Sequence, residues 1–188
     1  MLIPLRACAI AQGMARKRKI ATGKVGQAVM IETRLLALEH EREIRNLYVR
    51  YCDLVDAGKA DLIAEDFYTN DVLADYHYNA LSGRDAIHKF YISGMDVFSE
   101  SAHCLTNLVI QSCDGEIAEV TSVLMAFHWH GAPEVHGVAA PIDFGLIVRS
   151  EDRLRRTSAG WRVAQRRARA MGPSFALKET ELVLQRKD

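Results

Sequence analysis

One stretch constrains this 188-residue chain more than any other: HCLTNLVIQSCDGEIAEVTSVLMAFHWH, residues 103–130. Two apolar runs flank Asp114-Gly115, a pair that reaches positive φ readily and so marks a tight hairpin turn. A two-residue loop there sets Cys113 opposite Glu116. The same register puts His103 opposite Ala126, Leu105 opposite Leu124 and Asn107 opposite Ser122. Side chains alternate along a strand, so His128 becomes a diagonal neighbour of His103, roughly 7–8 Å away at Cα. Leu108, Ile110, Val123, Met125, Phe127 and Trp129 fall on the opposite face. A sheet with His, Asn and Ser on one face and a row of large apolar groups on the other needs cover on both. The polar groups on the first face point to a cavity there.

The segments before the hairpin read as helices. From Glu32 to Ala57, Leu35, Leu38, Ile44, Leu47, Tyr48, Tyr51 and Val55 recur at three- and four-residue spacing. Gly58 is a natural stop. Asp61 is expected to cap a second helix over Leu62–Tyr68, followed by a short strand over Val72–Tyr78. Asp85 opens a third helix reaching about Phe98. After the hairpin and an irregular loop come two more strands, from Ile142 through Thr157 and from Trp161 to about Met171. Helices first and long antiparallel strands after them predict an α+β domain.

Residues 1–30 differ in kind. Arg6, Arg16, Lys17, Arg18, Lys19 and Lys24 lie there with no acid and no sustained apolar period. This segment is expected to be a disordered basic extension, with residues 31–175 forming the domain and 176–188 a charged tail. Met30 is expected to be the natural first residue; a targeting peptide is the alternative. With the extension set aside, eighteen basic side chains face 24 acidic ones. That balance argues against a nucleic-acid-binding domain. No apolar run is long enough to span a membrane. Cys52, Cys104 and Cys113 show no CxxC spacing and are expected to fill core positions in a reducing cytoplasm.

Three pieces of the chain resemble the nuclear transport factor 2-like fold, and within it the SnoaL-like and scytalone dehydratase-like enzymes. They are RYCDLVDAGKADLIAEDF at 50–67, GRDAI with HCLTN at 83–87 and 103–107, and DRLRRTSAGWRVAQRR at 152–167. The resemblance implies a cone-shaped single domain. In it a curved, mainly antiparallel sheet packs against three helices around an apolar pocket, usually in a dimer. It also implies that Asp56, at the end of the first helix, works with His103, and that His128 on the partner strand faces them. Tyr76 matches a pocket tyrosine that holds a substrate carbonyl. Val55 stands where the dehydratase pattern has a second tyrosine, which sets the chain apart from scytalone as substrate. Ser150 stands in the place of a pocket amide on the fourth strand.

The residues themselves support part of this. Asp56 lies in the last helical turn, where the helix dipole disfavours its ionised form and raises its basicity. A solvated Asp at a helix end is the plain alternative. Asn107 either donates to a substrate oxygen or pairs with Ser122. His128 and His130, two apart on one strand, are placed like zinc ligands but lack a third, so no metal and no cofactor are expected. The arginines between Arg153 and Arg169 are expected on a solvated, salt-bridged outer face rather than at a phosphate site. Taken with the resemblance, these features imply a small lyase or isomerase that removes a proton next to a carbonyl of a mostly apolar, ring-bearing molecule. The alternative is a non-catalytic binding or structural subunit, such as the small subunit of a ring-hydroxylating dioxygenase. No nucleic-acid or membrane partner is expected. The apolar outer face of the hairpin is expected to pair with a second copy.

Overall fold

A computed structural model describes residues 6–176 apart from Tyr78, His136 and Pro173. The charged tail from residue 177 onward, and His136, therefore lie outside the described residues. The chain divides into two units, residues 1–40 and 41–188. Helix α1 (Arg6–Asp56) is the described part of the first unit and continues into the second, so it starts well before the expected Glu32. Within the second unit come α2 (Ala60–Phe67), β1 (Tyr68–Asp75), β2 (Ala80–Ser82), α3 (Arg84–Met95), β3 (Glu100–Cys113) and β4 (Ile117–Trp129). A two-stranded ribbon of β5 (Glu134–Val135) and β6 (Val138–Ala139) precedes β7 (Phe144–Thr157), β8 (Gly160–Ala170) and β9 (Phe175–Ala176).

The main sheet runs β2-β1-β8-β7-β4-β3, with β9 added to β7. Every pairing is antiparallel except β1 with β8. This is a curved, mostly antiparallel sheet with three helices, an α+β arrangement. The core is built where α1, α2 and α3 meet the sheet. Ile44, Tyr48, Ile63, Phe67, Tyr68, Val72, Ile87, Val120, Leu154 and Val163 are fully buried. Tyr48 and Tyr51 both pack there, as their helical spacing predicts.

Some details depart from the sequence expectations. No loop separates α2 from β1: Tyr68 is extended and buried directly after the helix, so the strand starts four residues early. Asp61 caps nothing. It sits in the first turn of α2 and pairs with His88 of α3 at 2.6 Å. Cys104 and Cys113 are exposed, and Cys52 is buried. Cys104 takes the strand face opposite His103, and Cys113 lies at the strand end.

The hairpin register holds for Ser101–Leu105 and then slips. His103 faces Ala126 and Leu105 faces Leu124, as expected, but Leu108 faces Ser122, Ile110 faces Val120 and Cys113 faces Ala118. Two irregularities, between Leu105 and Leu108 and between Ile110 and Ser112, absorb the shift. At the first, the Thr106 hydroxyl donates to the Val123 carbonyl at 3.0 Å, standing in for a ladder bond. The loop moves correspondingly to Gly115-Glu116. Gly115 takes φ 97°, and the Asp114 carboxylate accepts the N–H groups of Glu116 and Ile117 at 2.8 and 2.7 Å. A bulge of one residue reverses every side chain beyond it. Leu108 and Ile110 thus pack on the core instead of the outer face.

Candidate active site

Asp56 is placed by the way α1 ends. Gly58 adopts φ 65°; its N–H bonds to the Val55 carbonyl at 3.0 Å and that of Lys59 to the Leu54 carbonyl at 2.9 Å. This paired closure is a Schellman cap, which only a residue at ease with positive φ completes. It leaves Asp56 in the last helical turn, beside the start of β3.

β3 is an edge strand, so some of its N–H groups have no strand partner. Asp56 takes one of them: His103 N–H donates to Oδ2 at 2.9 Å. His103 Nδ1 reaches Oδ1 at 2.6 Å, and the Ser101 hydroxyl donates to the same oxygen at 3.0 Å. The carboxylate only accepts, so Nδ1 carries a proton and, in the neutral ring, Nε2 is the nitrogen with the lone pair. The His103 side chain is 8% exposed and that of Asp56 31%.

These bonds reverse one expectation. Burial pushes the Asp56 carboxyl up, but the ring and backbone of His103 and the Ser101 hydroxyl outweigh it and hold it below the ordinary carboxylate value. Asp56 is therefore not a raised-pKa base. It is an anion that orients His103 and stabilises positive charge on it.

His128 stands on the neighbouring strand, two residues past the partner of His103. The two imidazole centres are 5.5 Å apart with ring planes at 89°. Burial, followed by the charge His103 can carry, lowers His128 to about 4, against smaller opposing effects of the Phe144 backbone and Asp56. At neutral pH it is an uncharged imidazole. Its Nδ1 is buried without a hydrogen-bond partner.

Tyr76 joins a hydroxyl cluster with Tyr68 at 2.6 Å and Tyr91 at 3.2 Å, and its ring stacks on Phe90. Ser150 is buried opposite Ser122 and Ala168. Asn107 falls in the bulge, is exposed and does not pair with Ser122. It lines a groove of about 640 Å³ with Thr106, Val109, Thr121 and Arg149; neither Asp56, His103 nor His128 borders that groove. His130 is exposed and bonds the Val97 carbonyl through Nδ1 at 3.1 Å. Among the described residues no group of three His, Cys, Asp or Glu side chains is placed to hold a metal ion. Nor is any described helix long and apolar enough to cross a membrane.

One feature escaped the sequence reading. Arg166 is not on the solvated face with its neighbours but is 5% exposed, paired in bidentate fashion with Asp152 at 2.9 and 2.8 Å. The Tyr48 hydroxyl donates to Asp152 at 2.6 Å, and Arg166 donates to the Tyr68 oxygen at 3.1 Å. Its guanidinium lies over the Phe67 and Tyr51 rings. A signal existed: Arg166 and Asp152 share the inward face of Leu154 and Ala168.

A SnoaL-like domain model matches residues 36–167. The chain belongs to the SnoaL-like domain family. Solved structures agree on the fold. A protein from Novosphingobium aromaticivorans provisionally named a scytalone dehydratase superposes with TM-score 0.65 at 20% identity, covering 76% of this chain and 90% of that one. An NTF2-like protein with a cystatin-like fold from the same organism gives 0.61 at 24% identity, over 82% and 95%. A protein from Streptomyces avermitilis provisionally named a dehydratase of the NTF2-like family gives 0.61 at 18%, over 72% and 98%. No curated protein matches the sequence.

Proposed function

We propose that this SnoaL-like protein is a cofactor-independent lyase or isomerase that abstracts a proton next to a carbonyl. The observation that carries the reading is the 2.6 Å bond between His103 Nδ1 and Asp56, which leaves Nε2 as a base beside an uncharged His128. His103 Nε2 takes the proton, and the carbon–hydrogen electrons move into the carbonyl to give an enolate. Asp56 stabilises the imidazolium that results. His128 exchanges the hydrogen bond of its one N–H from the Phe144 backbone to the enolate oxygen; a neutral imidazole serves here because it polarises a carbonyl without handing over its proton. In a dehydration the enolate then expels a β-hydroxyl, which leaves as water with the proton from His103. In an isomerisation His103 returns the proton at another carbon. Neither route changes the oxidation state of the substrate overall, so no redox cofactor is required.

Leu105, Leu124 and Ala126 share the sheet face of the two histidines, which favours a mostly apolar substrate bearing a ring. The dehydratase names of two structural neighbours are consistent with this chemistry. The test is a screen of cyclic β-hydroxy-ketones for loss of water and of their enone isomers for double-bond migration. Turnover that disappears in His103→Ala supports the reading. Binding without turnover, equal in wild type and variant, supports a ligand-binding protein instead.

A further inference from the structure

The loop between α3 and β3 carries a residue that the scheme above does not use. Phe98 projects from Asp96–Ser99, and its ring centre lies 4.7 Å from that of His128. It stacks on Phe144 at 5.8 Å and on His130 at 5.0 Å. The loop is fastened on both sides of the ring. Ser99 N–H and hydroxyl both donate to the Trp129 carbonyl, at 3.0 and 3.3 Å. On the other side, His130 Nδ1 donates to the Val97 carbonyl. His130 is held in turn by its own N–H, which donates to Asp143 at 2.8 Å.

We propose that Phe98 is a positioning residue: it shuts water away from His128 and keeps that imidazole packed against Phe144, edge-on to His103. The inference rests on the role given to His128 above and extends it to the residue that sets its state. The surroundings of His128 make the argument. β3 offers His103, the end of α1 offers Asp56, and β7 offers the Phe144 ring and backbone. On its own strand His130 lies behind the Phe98 ring. Asp56 would favour a charged His128, yet it is already satisfied by three bonds from His103 and Ser101. Against the charge stand exclusion of water, the larger effect, and the charge His103 can carry; Phe98 and Phe144 are the rings packed on the imidazole that supply the first. Phe144 belongs to a strand paired on both sides, whereas Phe98 rides on a short loop. Phe98 is therefore the one of the two that can be changed without dismantling the sheet.

The experiment is an NMR titration of histidine-labelled protein, without substrate, for wild type, Phe98→Ala and Phe98→Leu. His128 in the wild type should stay neutral down to about pH 4. In Phe98→Ala its midpoint should rise by about one unit or more toward the ordinary value near 6.5. Phe98→Leu, which keeps apolar bulk without the ring, should rise less and guards against a failure of the Ala variant to fold. An unmoved midpoint in either folded variant overturns the proposal, as does an ordinary midpoint in the wild type. A residue that merely packs would lower the melting temperature and leave the His128 midpoint in place. The titration needs no substrate, so a failed activity screen would count against the proposed reaction and leave this inference standing.

Discussion

Two polar groups sit on the inner face of the same sheet, and they are built on opposite rules. At one end, Asp152, Arg166, Tyr48 and Tyr68 satisfy one another in full burial: the guanidinium spends three donors, and both carboxylate oxygens are used. At the other end, the Asp56 carboxylate is equally well served, but the chain of bonds stops at His103. Its Nε2 takes part in no hydrogen bond among those described, and His128 beside it is held neutral with a buried, unpartnered Nδ1. A closed network specifies a fold. An open one, with unspent donor and acceptor capacity, is what a reacting molecule can use. The comparison separates residues whose loss should harm catalysis from those whose loss should harm stability.

The largest expected effect is therefore catalytic and confined to the open end. Asp56→Asn should lower turnover by roughly two to four orders of magnitude, the usual weight of general acid–base catalysis. The amide oxygen can still accept from the His103 backbone, while the NH2 in place of Oδ1 donates to the Ser101 hydroxyl and to Nδ1 of the other imidazole tautomer, so the fold should persist. Steady-state rates beside circular dichroism check both halves. Retained turnover in a folded Asn variant would sink the mechanism while leaving the family untouched.

At the closed end the effect should fall on stability. Arg166→Met strands a buried carboxylate, which typically costs about 3–5 kcal/mol. For a chain of this size that lowers the melting temperature by roughly 10 °C. Adding Asp152→Leu should recover much of the loss, because an apolar pair of similar bulk replaces the buried charges. Thermal melts of the two variants decide it. If the double variant is no better than the single one, the network contributes more than charge pairing.

The sequence made the open end legible because its geometry is local. Gly58 fixes where α1 stops, and the His103–Ala126 register lies before the bulge. Beyond the bulge the same reasoning fails. One residue of slip moves Leu108 and Ile110 inward and leaves Asn107 in the solvent, and nothing in a period-two pattern signals it. Arg166 was misread for a different reason. Tyr48 and Asp152, the groups that make its burial tolerable, are 104 residues apart, and only the folded sheet brings them together. The raised basicity expected for Asp56 had counted the helix dipole and burial but not three donors from β3.

A third prediction uses pH to tell the two ends apart. His128 is lowered to about 4 in the folded chain and titrates near 6.5 when unfolded. The unfolded state thus binds a proton that the folded state refuses. Stability from this source is complete above about pH 6.5, declines as pH falls toward 4, and is flat below. The loss is at most about 3 kcal/mol and less in practice, because the ring keeps some solvent contact. His128→Phe should flatten the melting-temperature profile between pH 6.5 and 4. Asp56, held low, acts in the same direction but only at more acid pH. A variant whose profile matches the wild type would mean that His128 is not shielded.

The outer face offers a fourth, smaller effect. With Leu108 and Ile110 turned inward, the apolar strip on β4 is Val123, Met125, Phe127 and Trp129, all half-buried, and the exposed Val109 joins it from β3. We still expect a second copy to cover it, since four large apolar groups in a row are unusual on a free surface. Sedimentation should show a dimer at micromolar concentration and a monomer for Met125→Lys. A wild-type monomer would remove the expectation.

The smallest effect should come from the largest deletion. Among the described residues the buried core begins at Ile44, within the second unit. Residues 6–40 are helical, and side-chain pairs along a helix are in general worth only about 0.2–0.5 kcal/mol each. Removing a helical segment takes away whatever such pairs it holds but also the entropy cost of ordering it. Six basic side chains leave with residues 1–29, which relieves like-charge repulsion in a segment that has no acid. The two contributions oppose each other, so a chain beginning at Met30 should melt within about 2 °C of the full chain, a difference of under about 1 kcal/mol. Turnover should be equally unmoved, because Asp56, His103 and His128 all belong to the second unit. A drop of several degrees would mean that the first unit packs on the second. A drop in turnover at unchanged melting temperature would instead give the basic helix a part in the reaction, and the division between an open and a closed end would need a third member.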